Sequence, residues 1–358
     1  MENLLEEFYR QDLHAGHYVE RKTQIGTQSC QLNGITQSGK TALIKHTLLE
    51  CKKSSYLYVD CNDVRIDRIE LNTYLGAFCQ DNNLECVVLD NYHPTIIPPN
   101  VPQLIISSEY HYPFAHLETI RLYPLDYEEF LAYEHKYDST ALHHFFQLGG
   151  YPSMHRIVSD DRNRNIQRNL QFALSNIEFD LMLLSAKMAA QKVSAYTLYE
   201  RLKSERKISK DMLYKNLDQL TAKSYLHQLS KYAHPRATKK LYLCDIAIKN
   251  ALSTQKHFGR LFENLIYLEM LKRHFELYYE EGIDFYLPQQ QRVVLCMPFG
   301  NQEMLFKKIE NIEAFIITHN ISKVEVVTMS SESELSHPFT TVEMIPFAIW
   351  ALVEGESL

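Results

Sequence analysis

The feature that most constrains this chain is the segment from Gly34 to Thr41, which has the pattern Gly-x-x-x-x-Gly-Lys-Thr. Its two glycines permit backbone angles that other residues avoid, so successive N–H groups converge on one point at the start of a helix. Converging amides, a helix N-terminus and a lysine together bind phosphate groups. Residues Gln28–Leu32 have an extended pattern and Ala42–Leu49 have helical spacing. The segment therefore predicts a strand, a phosphate-binding loop and a helix.

A second motif is an apolar run, Cys86–Leu89, that ends in Asp90. Ligands gather at the carboxyl ends of the strands of an α/β sheet, so Asp90 is expected beside Thr41. The hydroxyl of Thr41 and the carboxylate of Asp90 would then both ligate Mg²⁺, while Lys40 contacts the β- and γ-phosphates of a nucleotide. The pattern predicts a site for ATP or ADP with Mg²⁺.

The residue after Asp90 is Asn91, where many ATPases of this layout have a glutamate that activates water. Asparagine cannot accept a proton, so hydrolysis is expected to be slow, or the base comes from elsewhere, such as Glu109 or a partner subunit. The strand Gln103–Ser108 ends in hydroxyls, of which Ser107 or Ser108 is expected to sense the γ-phosphate.

The site predicted from these motifs has three sets of residues. The catalytic set is Lys40, Asp90 and Asn91. The metal ligands are Thr41 and Asp90. The nucleotide-binding set is Gly34, Ile35, Thr36, Gln37, Ser38, Gly39, Lys40, Thr41 and Ser107.

Three further residues each have two interpretations. Tyr18 and Arg21 precede the first strand, where they either border the nucleotide base or belong to an ordinary surface segment. Arg156 either completes the nucleotide site or carries surface charge on a helix.

The charge of the chain is uneven. The 358 residues carry a formal charge of −7, but the segment from Lys187 to Lys249 has fourteen basic and five acidic residues. Within it, helical patterns at 194–202 and 212–224 precede two strand patterns, 225–229 and 240–244, that flank a basic turn. This order predicts a winged helix-turn-helix that binds DNA or docks a protein. The residues expected to contact DNA phosphates are Lys207, Lys210, Lys215, Arg236, Lys239 and Lys240.

The order of these motifs resembles the prokaryotic AAA-like ATPases that are related to the signal-transduction NTPases. The resemblance also rests on Pro124-Leu125-x-x-x-Glu129-Phe130, on Gly149-Gly150-Tyr151-Pro152 and on Gly259-Arg260-Leu261-Phe262-Glu263-Asn264. It implies an α/β fold in which a P-loop NTPase parallel sheet is followed by a winged helix-turn-helix and an α/β restriction-endonuclease-like C-terminal domain. The predicted domains are 1–152, 153–246 and 247–358. Thr36, where the family usually has arginine, and Asn91 both argue against rapid hydrolysis.

In nucleases of this last fold, an aspartate joins a Glu-x-Lys motif on the next strand to bind Mg²⁺. Glu263 and Asp284 match two of these groups, but the next strand, Val293–Pro298, is apolar and supplies no lysine. The sequence therefore predicts a structural part for Glu263 and Asp284.

The remaining composition limits the setting. Seven cysteines form no Cys-x-x-Cys motif, the N-terminus is acidic, and no apolar run approaches the length of a membrane span. Sixteen histidines include no His-Glu-x-x-His, so no metal beyond Mg²⁺ is predicted. These features predict a cytoplasmic protein without a membrane partner.

The leading hypothesis is an ATP-binding AAA-like ATPase in which slow, Mg²⁺-dependent ATP hydrolysis moves the winged helix and the C-terminal domain. One alternative is a nucleotide-gated switch that binds DNA or a partner protein and hardly hydrolyses ATP. Another is a Mg²⁺-dependent nuclease that uses Glu263 and Asp284. An oligomer is compatible with each of the three.

Overall fold

The computed structural model describes residues 1–14, 16, 18–137, 139–255 and 257–352. The chain divides into two compact units: the first contains Met1–Pro124 with Ala222–Ser224, and the second contains Leu125–Thr221 and the chain from Tyr225 onward. The predicted boundaries at residues 152 and 246 stay predictions. Within the described ranges, no helix combines the length and hydrophobicity needed to cross a membrane.

The first unit is a parallel sheet with helices on both faces. Its elements are α1 (Glu2–Arg10), β1 (Cys30–Asn33), α2 (Lys40–Leu49), a 3₁₀ turn (Lys53–Ser55), β2 (Tyr56–Asp60), α3 (Arg68–Asp81), β3 (Cys86–Asp90), β4 (Gln103–Ser108) and β5 (Glu118–Arg121). The five strands are parallel, in the order β2-β3-β4-β1-β5. This topology confirms the predicted parallel α/β sheet and places β4 between β1 and β3.

Alternation along the strands divides the core of this unit into two layers. Leu57 and Val59 of β2 belong to the core cluster that contains α1 and α3. Tyr56 and Tyr58 of the same strand belong to the cluster that contains Leu43, Ile44 and Leu48 of α2. Both faces of the sheet are therefore buried, which explains why its strands read as continuous apolar runs.

The second unit begins with a helical part that leads to a small antiparallel sheet. Its elements are α4 (Tyr127–Glu134), α5 (Ser139–Leu148), a 3₁₀ helix (Pro152–Arg156), α6 (Ser159–Ala173), α7 (Asn176–Lys187), β6 (Gln191–Val193), α8 (Ala195–Glu205), α9 (Lys210–Ala222), β7 (Leu226–Leu229), β8 (Lys239–Leu243) and α10 (Ile246–Leu252). The strand order is β6-β8-β7. The predicted helix pair and hairpin are present, whereas β6 has too few residues for its pattern to be read from the sequence.

A larger mixed sheet completes the second unit. Its elements are α11 (Phe258–Lys272), β9 (Tyr278–Glu280), β10 (Ile283–Leu287), β11 (Arg292–Cys296), α12 (Gln302–Thr318), β12 (Lys323–Thr328), β13 (Ser333–Ser336), β14 (Thr341–Pro346) and α13 (Phe347–Trp350). Six strands pair in the order β13-β14-β12-β11-β10-β9. The apolar side chains of α12 pack on this sheet.

The Gly-Gly-Tyr-Pro motif forms a buried turn of the second unit. Gly149 has φ +65°, and the N–H of Gly150 donates to Asp245 Oδ2 at 2.7 Å. Asp245 Oδ1 accepts from the N–H of Ala247, also at 2.7 Å. Burial raises the pKa of the Asp245 carboxyl to about 6, and the two N–H donors act in the opposite direction. The motif is therefore a structural junction between the end of α5 and the start of α10.

Candidate functional site

The loop between β1 and α2 needs its two glycines for different reasons. Gly39 has φ +101°, and Gln37 also lies in the left-handed region, at φ +62°. A Cβ on Gly34 would collide with the carbonyl oxygen of Leu122 and lie 2.8 Å from Ser38 Oγ. Gly39 thus supplies a backbone angle, and Gly34 permits a close approach to the chain after β5.

The side chain of Lys40 lies inside this loop. Its ammonium donates to the carbonyl oxygens of Gly34, at 2.7 Å, and Ile35, at 2.9 Å. Burial lowers the pKa of Lys40, whereas the charges of Glu109 and Asp90 raise it. An incoming phosphate would offset the cost of burying this ammonium, so the loop holds a cation at the position the sequence assigns to phosphate binding.

Three hydroxyl groups converge on the carboxylate of Asp90, which is fully buried. Thr41 Oγ1 donates to Asp90 Oδ2 at 2.6 Å, and the Tyr58 hydroxyl donates to the same oxygen at 2.7 Å. Ser107 Oγ donates to Oδ1. Burial and the Asp90 charge raise the pKa of Tyr58, so the phenol remains a neutral donor. The structure thus brings together Thr41, Asp90 and Ser107, which the sequence singled out from separate segments.

The donor set at this junction suits a magnesium ion. A threonine hydroxyl and a carboxylate are oxygen ligands of the kind Mg²⁺ prefers, and they lie within hydrogen-bond distance of each other. Thr41 and Asp90 are therefore the residues that would hold the ion.

Asn91 connects Asp90 to a residue that the sequence did not single out. Asn91 is left-handed, at φ +57°, and its N–H lies 3.1 Å from Asp90 Oδ1 and 3.0 Å from Ser107 Oγ. Its side-chain amide donates to Asp60 Oδ1 at 2.9 Å. In the sequence, Asp60 ends an apolar run as Asp90 does, and this pattern could have identified it. Only the strand register shows that the two residues are neighbours.

Arg21 connects the loop between β1 and α2 to the chain after β5. Its guanidinium donates to the carbonyl oxygen of Ser38, at 2.8 Å, and to that of Tyr123, at 2.6 Å, and the residue is 6% exposed. The interpretation of this residue as part of an ordinary surface segment is therefore wrong, because its charged group is used to hold the loop against the chain after β5.

A cavity of about 520 Å³ lies beside α2 in the same unit. The ring of Tyr18 stacks on that of His46, with centroids 3.8 Å apart and planes inclined by 15°. The cavity is lined by Tyr18, Glu20, Arg21, Gln24, Ile25, Leu43, His46, Thr47 and Glu50. Aromatic rings at such a cavity offer a stacking surface for a flat heterocycle.

Arg156, Glu263 and Asp284 belong to the second unit. Arg156 ends the 3₁₀ helix that begins at Pro152, the last residue of the Gly-Gly-Tyr-Pro motif. Its part in a nucleotide site stays a prediction. Glu263 lies on α11 and Asp284 on β10, and the structure brings them to one buried cluster.

Lys240 is the cation of this cluster, and its predicted contact with DNA is wrong. Its ammonium lies 2.8 Å from Glu263 Oε1 and 3.6 Å from Asp284 Oδ1, and its side chain is only 9% exposed. The Tyr242 hydroxyl also donates to Glu263, at 2.7 Å, and Asp284 accepts from the N–H of Cys296, at 2.9 Å. The counter-charge of the two carboxylates is thus a lysine of β8.

Several basic residues of the segment from Lys187 to Lys249 are paired with carboxylates or buried. Lys192 pairs with Glu281, Lys231 pairs with Glu280, and Arg206 pairs with Asp180. Lys223 and Lys249 are buried. The basic side chains that remain exposed on α8, α9, the turn before α9 and the β7–β8 turn are Arg201, Lys203, Lys207, Lys210, Lys215 and Arg236.

A glycine-rich loop between a strand and a helix of a parallel sheet, with an aspartate at the end of a neighbouring strand, defines the P-loop class of nucleotide-binding folds. No family model matches the chain. An uncharacterized protein of Methanocaldococcus jannaschii is 23% identical over 279 residues. That match covers 64% of this chain and 62% of the relative's own length.

Two solved structures show a distant likeness. A Walker-type ATPase of Pyrococcus abyssi has a TM-score of 0.40 and 15% identity, with coverage of 63% of this chain and 90% of that one. The Orc1 protein of Aeropyrum pernix in complex with DNA has a TM-score of 0.31 and 15% identity, with coverage of 63% and 86%.

Proposed function

We propose that the first unit binds ATP with Mg²⁺ and hydrolyses it slowly to ADP and phosphate. The observation that carries this proposal is the junction of loop and sheet. Lys40 is held inside the loop, and the Thr41 hydroxyl lies 2.6 Å from the Asp90 carboxylate. The same arrangement of lysine, hydroxyl and carboxylate positions phosphates and magnesium in P-loop NTPases.

Each residue of the loop has a specific part in this proposal. N–H groups of the loop and the Lys40 ammonium would bind the phosphates, and Lys40 would exchange its two carbonyl partners for phosphate oxygens. Thr41 and Asp90 would hold Mg²⁺, which neutralises phosphate charge when bound. The Ser107 hydroxyl, which donates to Asp90 in this structure, would turn toward a γ-phosphate when ATP binds. The residues therefore bind and orient ATP for in-line attack by water.

The base of the nucleotide is proposed to bind in the cavity beside α2. Tyr18 and His46 offer stacked rings there, while Glu20, Gln24 and Glu50 offer polar groups to the edge of a purine. Arg21 lines the cavity and also donates to the Ser38 carbonyl of the loop. Arg21 would thus contact both the cavity proposed for the base and the loop proposed for the phosphates.

Replacing Lys40 with alanine is expected to abolish stabilisation by ATP. At a ligand concentration one hundred times the Kd, binding adds about 2.7 kcal/mol to the free energy of unfolding, which raises the melting temperature of the wild-type chain by several degrees. The variant lacks the ammonium that faces the phosphates and should show no shift. The measurement is the melting temperature with and without ATP and Mg²⁺.

A matched control for this substitution is Lys52→Ala, which removes the same charge from an exposed position just after α2. The control should keep the full ATP-induced shift. Equal shifts in the wild-type chain and the Lys40→Ala variant would refute the proposed phosphate site.

We further propose that α8, α9 and the β7–β8 hairpin form a winged helix-turn-helix, and that α11 to α13 form a restriction-endonuclease-like domain without nuclease activity. The helix pair followed by an antiparallel hairpin supports the first assignment. The mixed sheet supports the second, and the pairing of both carboxylates with Lys240 argues against cleavage chemistry. Domain boundaries near 152 and 246, and movement of these parts with the nucleotide state, belong to the same proposal.

A second candidate function is a nucleotide-gated switch that binds DNA. The exposed basic residues of α8, α9 and the hairpin turn support it, although Lys240 is buried in an ion pair. Acidic side chains also remain exposed on the two helices, for example Glu200 and Asp218. We therefore expect DNA binding to be weak.

Salt dependence measures the number of phosphate contacts directly. The slope of log K against log salt is about −0.9 per neutralised phosphate, so up to six contacts give a slope no steeper than about −5. Lys207→Ala should reduce the magnitude of this slope by about one. Lys239 is the half-buried first residue of β8, so Lys239→Ala should change the slope less. The measurement is duplex affinity across a salt series, and an affinity that salt does not change would contradict DNA contact through these residues.

A further inference from the structure

The residue that follows Asp90 cannot act as a general base, because an asparagine amide does not accept a proton. The strand register places another carboxylate beside Asp90. Asp60 is the last residue of β2, and it pairs with Asp90, the last residue of β3. Both residues lie at the carboxyl edge of the parallel sheet, which is the edge from which the phosphate loop leaves β1.

Asp60 and Asp90 also lie on the same face of the sheet. Side chains alternate along a strand, so Asp60 follows Tyr56 and Tyr58, and Asp90 follows Cys86 and Val88. All four of these residues belong to the core cluster that contains α2. Since α2 begins at Lys40, the two carboxylates share the side of the sheet on which the phosphate site lies.

The hydrogen bonds of Asp60 leave one of its oxygens available. The Asn91 amide donates to Oδ1 at 2.9 Å, and the N–H of Asn62 donates to the same atom at 3.1 Å. Across the part of the chain that the structure describes, Oδ2 receives no hydrogen bond, and the residue is only half-buried. Asp60 is therefore oriented through one oxygen while the other can accept a proton from water.

The backbone conformation of Asn91 favours its hydrogen bond to Asp60. It adopts a left-handed conformation that is uncommon for residues other than glycine, and its N–H is held by Asp90 and Ser107. This backbone directs the side-chain amide toward β2. Many ATPases of this layout have a glutamate after the aspartate of this strand. Here that position is Asn91, whose amide holds the carboxylate of Asp60 on the neighbouring strand.

We propose that Asp60 is the general base of ATP hydrolysis and that Asn91 is its positioning residue; this inference rests on the proposed function. The oxygen of a water molecule bonds to the γ-phosphorus, and the bond between that phosphorus and the β,γ-bridging oxygen breaks with its electron pair on ADP. One proton of the water passes to Asp60 Oδ2 and then to solvent. The products are ADP and inorganic phosphate.

Glu109 is the competing base, and its surroundings favour a different part. Its charge raises the pKa of Lys40 and so supports the buried ammonium. Asp60 is instead attached to the residue that follows Asp90. The geometry favours Asp60 for proton transfer and Glu109 for holding the charge of Lys40.

The test compares Asp60→Asn with the wild-type chain in single-turnover release of phosphate from ATP and in ATP affinity. The variant keeps the size of the side chain and an oxygen for the Asn91 amide, but it cannot take a proton. Loss of a general base typically costs a factor of about 10² to 10⁴ in rate, and ATP affinity should stay within about threefold. Asp63→Asn is the control, because that carboxylate lies three residues after Asp60, outside β2, and pairs with Arg65 on the surface.

Two further variants separate proton transfer from structure. Asp60→Glu restores a carboxylate and should recover part of the lost rate. Asn91→Ala keeps the carboxylate but removes its anchor, so the rate should fall less than in Asp60→Asn, with ATP affinity unchanged.

The outcomes distinguish this inference from the function on which it rests. A wild-type chain that does not bind ATP overturns the proposed function itself. A wild-type chain that binds ATP without releasing phosphate overturns the proposed hydrolysis together with the part given to Asp60. An Asp60→Asn variant that keeps its rate while Glu109→Gln loses it overturns only the part given to Asp60. Equal losses of ATP affinity and rate in Asp60→Asn would mean that Asp60 binds ATP, and would also overturn its part as the general base.

Discussion

Replacing Lys240 with alanine is expected to lower the free energy of unfolding of the second unit by about 3 to 5 kcal/mol, the range observed when one partner of a buried ion pair is removed. The ammonium lies between Glu263 and Asp284, and the side chains of Lys240 and Glu263 are 9% and 13% exposed. Burial already raises the pKa of Glu263, which the Lys240 charge counteracts. Without the lysine, two adjacent carboxylates remain with no counter-charge.

The measurement is denaturant unfolding of the full chain, with Lys239→Ala as the control. Lys239 is the preceding residue of β8 and is half-buried, so its loss should cost far less. The deficit of Lys240→Ala should also depend on pH. A carboxyl whose pKa is raised in the folded state favours folding below its unfolded pKa, and this contribution is lost as pH rises through its folded pKa. The deficit should therefore shrink as pH falls, and a deficit that grows toward acidic pH would contradict the assignment.

The Lys240 cluster shows what a charge pattern in the sequence cannot reveal. Lys239 and Lys240 are adjacent, and composition assigns both to a basic surface. Alternation along β8 turns Lys240 and Tyr242 to one side, where both contact Glu263. The partner is a distant helix residue, and nothing local to the hairpin indicates it. Lys240, which the sequence predicts to contact DNA, is therefore a structural counter-ion, because it contacts a residue that is distant in the sequence.

The proposed nucleotide site was likewise predictable only in part. The loop from Gly34 to Thr41 and the strand that ends in Asp90 were predictable because each depends on a local pattern with a known period. Tyr58 and Asp60 could not be found in this way. Their nearness to Asp90 depends on which strand lies beside β3 and in what register, and both follow from packing of the whole sheet.

Arg21 illustrates a related limit. The sequence shows a charged residue in a polar segment before β1, for which a surface position is the ordinary expectation. Its two carbonyl partners, Ser38 and Tyr123, are brought together only by the tertiary fold. The two carbonyl groups stabilise the buried guanidinium because each accepts a hydrogen bond from one of its N–H donors.

Replacing Gly149 with alanine is expected to destabilise the second unit by at least about 3 kcal/mol. Left-handed backbone alone costs an L-residue roughly 1 to 2 kcal/mol, and Gly149 has φ +65°. The added Cβ would also collide with Asp245 Oδ1 and lie 2.8 Å from the Ala247 Cβ. Relief of that collision would pull the buried carboxylate away from the N–H groups of Gly150 and Ala247. An unpaired buried acceptor adds its own desolvation cost.

Gly259→Ala is the matched control, because this glycine belongs to another motif of the same family resemblance. It lies within α11, where a Cβ would meet no atom within 4 Å. Alanine in a helix is about 1 kcal/mol more favourable than glycine, so this substitution should be neutral or stabilising. Denaturant unfolding of the two variants should therefore give changes of opposite sign or very different size. A Gly149→Ala chain as stable as the control would mean that the turn can relax without losing Asp245, and that the motif does not depend on this backbone angle.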